Sequence, residues 1–131
     1  MKTILRIVTN PENIISYALG FVVMWFGLHE IFSPQDWVVF APPFLGDGTF
    51  TISLVVIHGI VLVSCALLLF LNIHRRIAAI ILTLVFIEII ITLVTQSGLS
   101  DIAVRDIGLC GMALGLAFTS TSELNKKRNS L

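Results

Sequence analysis

The sequence predicts an all-α fold, a membrane four-helix bundle with a short interfacial helix or re-entrant segment after the first span. Three observations lead there. Of the 131 residues, 56% are hydrophobic and only 12% are charged, whereas a soluble domain carries about a quarter charged residues. Four apolar runs, at about 14–32, 52–71, 77–95 and 104–121, each approach the length needed to cross roughly 30 Å of hydrocarbon at 1.5 Å per residue. The breaks between them are short and rich in proline, glycine and helix-start residues. A chain of this size holds one domain, 1–131.

The first span opens on Asn10-Pro11-Glu12, an N-cap side chain followed by proline at the first helical position and a carboxylate in the first turn. Basic residues before this apolar run resemble a signal peptide, but the run is too long and no small-residue cleavage site follows it. It is therefore expected to stay as a membrane helix. Gly20 and Gly27 share a stripe with Tyr17 and Met24, which predicts close packing on a neighbouring helix.

Ser33-Pro34-Gln35-Asp36 repeats the start signal, with Phe32 and Trp37 placed for a hydrophobic staple. Ala41-Pro42-Pro43 and Gly46-Asp47-Gly48 stop that helix early. The 33–51 segment is thus too short to span, and its aromatics suit headgroup depth. Trp25 and Trp37 are read as interfacial anchors. Asn72-Ile73-His74-Arg75-Arg76 is a tight basic turn, and Gln96 to Asp101 a short polar loop. The fourth span begins near Val104-Arg105-Asp106. Gly108, Gly111 and Gly115 crowd it and predict close packing rather than lipid exposure. The polar tail from Glu123 to Leu131 is expected to fray.

Four spans put both termini and the 72–76 turn on one side. Seven of the eight Lys and Arg residues collect there (Lys2, Arg6, Arg75, Arg76, Lys126, Lys127, Arg128), leaving only Arg105 opposite. By the positive-inside rule the chain sits in the cytoplasmic membrane with both termini cytoplasmic. No basic patch with interleaved aromatics points to nucleic acid. Cys65 and Cys110 lie inside apolar runs, form no C-x-x-C, and read as small buried hydrophobes.

Six ionisable residues reach the outer third of the spans: His29, Glu30, His58, Glu88, Arg105 and Asp106. His58 lies roughly 9 Å and Glu88 roughly 10 Å below the outer surface by helical rise. An acidic side chain at that depth costs a few kcal/mol and should face the bundle with a partner or a proton. Thr92 and Thr95 carry polarity outward from Glu88 along its stripe. Glu88 is expected to touch His58 or Arg105 directly. The cluster serves either as a structural lock on helix register or as a ligand- and proton-handling site. No i, i+3 or i, i+4 ligand pair is present among these residues, so a metal site is not expected. Walker, dinucleotide, nucleophile-elbow and c-type haem motifs are also missing from the sequence.

Trp25-Phe26-Gly27, followed by Pro34, Trp37 and Pro42-Pro43, resembles the opening of the DoxX family of small four-helix membrane proteins. Arg75-Arg76-Ile77-Ala78-Ala79 and Val104-Arg105-Asp106-Ile107-Gly108-Leu109 are similar to that family's later blocks, and the likeness runs from about Tyr17 to Ala117. It implies a four-helix bundle with an interfacial element after the first helix. Some members belong with a thiosulfate:quinone oxidoreductase, and others are linked to redox or stress functions. Two functions are therefore expected to compete. One is a membrane subunit of a quinone-linked oxidoreductase, with quinone bound or protonated at the outer cluster and a redox subunit or second copy as partner. The other is a non-catalytic scaffold or chaperone-like subunit whose charges lock helices together. A small transporter is the weaker third, because the inner half carries no polar pathway.

Overall fold

A computed structural model describes residues 1, 4–5 and 9–131, with the side chains of 120–125 excluded. Lys2 and Arg6 lie outside the described residues. Four long helices follow in order: α1 (Pro11–Phe32), α2 (Thr49–Phe70), α3 (Arg75–Ser97) and α4 (Asp101–Asn129). Two 3-10 helices, Pro34–Phe40 and Pro43–Leu45, fill the break after α1. No strand occurs among the described residues. All four helices are long and apolar enough to cross a membrane, and a third of each apolar window is buried inside the bundle. The remaining apolar surface faces outward, where a soluble protein would place charge.

The predicted α1 start is present: the Asn10 side chain accepts a hydrogen bond from the Glu12 N–H at 3.1 Å, and Pro11 opens the helix. The segment after α1 differs from expectation. It is 3-10 rather than α-helical, because seven residues between two proline-bearing stops cannot build a stable α-helix. Ser33 makes no side-chain cap. Phe32 is 79% exposed, so the staple does not form. Trp37 instead packs edge-on against Phe26, with ring centroids 5.6 Å apart. The α4 start lies one turn earlier than expected, since the Ser100 side chain caps the Ala103 N–H at 3.3 Å and Asp101 sits in the first turn. The helix also continues through Asn129 where a frayed tail was expected.

Contacts concentrate within two hairpin pairs, α1 with α2 and α3 with α4, and the pairs meet more loosely. The α1–α2 contact turns on glycine. A Cβ on Gly27 would lie 2.8 Å from the Gly59 carbonyl oxygen, and one on Gly59 would lie 2.8 Å from the Gly27 carbonyl oxygen. Backbones can approach this closely only where neither residue carries a side chain. Gly20 packs in turn beneath the Phe70 ring. The α4 glycines do not behave this way. Gly108, Gly111 and Gly115 are exposed, and a Cβ at any of them would meet nothing within 4 Å. The buried stripe of α4 is instead Ala103, Asp106, Leu109, Ala113, Leu116 and Ala117. That stripe lies nearly opposite the three glycines round the helix, so alanines, not glycines, form the packing face.

The end carrying the α2–α3 turn is tied by Arg75. Its guanidinium donates to Glu12 Oε2 at 3.3 Å, to Asn13 Oδ1 at 2.6 Å, and to the Asn72 side chain. Asn72 and His74 adopt left-handed backbone, a conformation in which asparagine is tolerated. The core runs between the two ends through Leu19, Val23, Leu62, Ala66, Leu69, Leu82, Phe86 and Leu116.

Candidate functional site

The opposite end of the bundle holds a cavity of about 380 Å³. Each helix contributes to it. The C-terminal half of α1 supplies Val23, Phe26 and Glu30; α2 supplies Thr51, Val55, His58 and Leu62; α3 supplies Phe86, Glu88, Ile89 and Leu93; α4 supplies Ile102, Arg105 and Asp106. The 3-10 segment covers it with Trp37, Phe40, Ala41, Pro42 and Leu45. Two side chains pin this cover to the helices. Gln96 Nε2 donates to the Ala41 carbonyl at 2.8 Å, and the fully buried Thr51 hydroxyl donates to the Leu45 carbonyl at 3.0 Å.

Five of the six expected cluster residues line this one cavity: Glu30, His58, Glu88, Arg105 and Asp106. His29 does not. Adjacent helical residues point about 100° apart, so Glu30 facing inward turns His29 outward. His29 is exposed, with Nδ1 2.9 Å from the Trp25 carbonyl and its ring 4.5 Å from the Trp25 ring. Trp25 is also exposed, and Trp37 lines the cavity.

The pairing inside the cluster differs from expectation. His58 Nδ1 meets Glu30 Oε2 at 2.6 Å, not Glu88. Glu30 is 5% exposed. It reaches His58 because Gly59 is the next residue on α2: a Cβ there would stand 2.9 Å from Glu30 Cβ. The glycine crossing is thus what lets the carboxylate sit beside the imidazole. With Nδ1–H donating to the carboxylate, Nε2 faces away from Glu30, and it is buried without a hydrogen-bond partner. A buried polar atom left so costs about 1–3 kcal/mol, which makes it a point where a ligand atom would be favoured.

Arg105 Nε donates to the buried Asp106 Oδ1 at 2.8 Å. The guanidinium carbon lies 4.6 Å from the centroid of the Phe26 ring, a cation–π contact that ties α4 to α1. Its acidic partner is its own neighbour rather than an acid deeper in the bundle. Glu88 forms no ion pair among the described residues. Its polar contact is the Thr92 hydroxyl, one turn along α3, at 3.4 Å. The direct contact expected between Glu88 and His58 or Arg105 is not made, because each of those has taken a nearer carboxylate. Thr95 donates to the Thr92 carbonyl at 2.9 Å and not to its hydroxyl, so the two threonines form no continuous hydroxyl chain.

Sequence reasoning missed Thr51 and Gln96, which hold the cover, and Phe26 as the seat of Arg105. A signal for the Glu30–His58 pair was nevertheless present. Glu30 follows Gly27 by three residues and His58 directly precedes Gly59, so a close Gly27–Gly59 crossing brings the two side chains together.

Fold and site define the class: a multi-pass helical membrane bundle with a mostly apolar cavity at one end that carries a few charged side chains. No protein-family model matches the chain, nor does any curated protein or solved structure.

Proposed function

We propose that this chain is a membrane subunit of DoxX type that binds the ring of a quinone in the cavity described above and works with a redox partner. The observation that carries the reading is the cavity itself. Its volume of about 380 Å³ falls in the range of small-molecule sites, and like them it combines apolar walls with a few convergent polar groups. Phe26, Trp37 and Phe40 make part of the wall aromatic. The remaining N–H groups of Arg105, and His58 Nε2 when the ring is the imidazolium, could donate to ring oxygens. Bound quinone would accept two electrons from the partner and two protons. This chain's part is to seat the ring, keep His58 oriented through Glu30, and hold exchangeable protons at His58 and Glu88.

The motif blocks that support the DoxX resemblance fall at working positions: Phe26 and Trp37 at the cavity, Gly27 at the helix crossing, Arg75 at the opposite clasp, and Arg105-Asp106 on the cavity wall. Chain purified in mild detergent should carry quinone, and His58→Phe should lose it while melting as a folded protein. Quinone bound equally well by that variant would overturn the assignment of His58.

A second reading is a scaffold. It is favoured by the self-contained pairs Glu30–His58 and Arg105–Asp106, the latter locked onto Phe26. Recovery of a stoichiometric protein partner without quinone would favour it over the first.

The proposed orientation puts both termini and the Arg75 clasp in the cytoplasm and the cavity at the outer face of the cytoplasmic membrane. It rests on the seven-to-one division of Lys and Arg between the two sides. A cysteine at position 47, Asp47→Cys, should therefore react with an impermeant maleimide on intact cells. Labelling only after permeabilisation would reverse the orientation.

A further inference from the structure

We propose that the cavity also selects for charge, taking a lipophilic cation with a ring-sized apolar body in preference to a neutral or anionic molecule of the same shape. This rests on the cavity being a small-molecule site, but not on quinone or redox chemistry. Its polar lining is three carboxylates, Glu30, Glu88 and Asp106, against one guanidinium and one imidazole. With all three carboxylates ionised, the lining is net negative whichever charge His58 carries.

The pairing decides where that excess lies. Asp106 is matched by Arg105 at 2.8 Å and Glu30 by His58 at 2.6 Å. Among the described residues, Glu88 has the Thr92 hydroxyl at 3.4 Å as its hydrogen-bond partner and no ion pair. Both cationic groups of the wall are already engaged, so an anionic head group would meet no free counter-charge there. A cation would meet a carboxylate that lines the cavity, is itself exposed, and forms no ion pair among the described residues.

The walls fit the same ligand. Ile89 and Leu93 flank Glu88 along α3, and Phe26, Trp37 and Phe40 lie on the cavity surface. Aromatic faces beside a carboxylate are the chemistry that recognises quaternary ammonium groups. The cavity already contains one example of the contact, in the Arg105 guanidinium 4.6 Å from the Phe26 centroid. Glu88 then acts as the specificity-determining residue of the site, giving charge preference while the aromatic and aliphatic walls give affinity for the body.

The test uses two probes of the same shape, phenyltrimethylammonium and tert-butylbenzene, titrated against the full chain in one detergent. Short-chain ubiquinone is titrated on the same samples. Glu88→Gln should weaken the cation by about fivefold, the scale of one exposed charge contact, and leave tert-butylbenzene within about twofold. Glu88→Asp, which keeps the charge, should retain most of the cation affinity and serves as the folding control. Equal loss of both probes in Glu88→Gln, or no loss of the cation, overturns the proposal. Quinone bound without the cation overturns it too and leaves the quinone reading standing. Cation bound without quinone does the reverse, and binding of neither probe nor quinone removes both readings.

Discussion

Gly59→Ala is expected to lower the stability of the detergent-solubilised protein by about 1–3 kcal/mol, the range for overpacking a close contact. The new methyl group would meet the Gly27 carbonyl oxygen at 2.8 Å and Glu30 Cβ at 2.9 Å. The first obstacle is backbone, so relief requires α1 and α2 to move apart. That separation should also draw Glu30 from His58, and with it the ligand affinity of the cavity. Gly111→Ala is the matched comparison. No heavy atom stands within 4 Å of a Cβ there, and alanine gains up to about 1 kcal/mol over glycine in a helix interior. It should melt at the parent temperature or above. Thermal unfolding followed by circular dichroism in one detergent checks both. Equal melting temperatures for Gly59→Ala and the parent would mean that the helices are not held at the glycine crossing. A large loss in Gly111→Ala would mean that the exposed α4 glycines pack on something after all.

The contrast between these glycines marks what was legible in the sequence. Helix number, order and approximate ends follow from hydropathy and cap chemistry, because a bilayer demands long apolar helices whatever their packing. Gathering of the polar residues at one end was legible too, since helical rise alone fixes depth. The facing of each residue was not. Small-residue stripes on α1 and on α4 look alike in one dimension, yet only the α1 stripe meets a matching glycine, Gly59, on its neighbour. The same limit separated His29 from Glu30, adjacent in sequence and turned to opposite environments by a 100° step. Partner choice was hidden as well. Glu88, His58 and Arg105 lie at comparable depths, but depth does not show that Glu30 reaches His58 across the glycine crossing. Nor does it show that Arg105 turns back to Asp106 and Phe26.

The Glu30–His58 pair gives the other large effect, and it separates structure from function. Glu30→Ala should cost about 2–3 kcal/mol, since it removes a hydrogen bond to a charged group and leaves both ring nitrogens of His58 without partners. His58→Leu should cost at least as much, because it strands a carboxylate that is 5% exposed. The double variant Glu30→Met/His58→Leu fills the same space with apolar groups and leaves no stranded charge. It should recover most of the loss, and a double-mutant cycle on the melting free energies should show strong coupling between the two sites. What it should not recover is binding, because the oriented imidazole is gone. Additive losses with no recovery would show that the two side chains act separately and would remove the pair from the site. Full recovery of stability together with undiminished quinone affinity would reduce the pair to a packing element. It would leave Glu88 and the aromatic cover as the working part of the cavity.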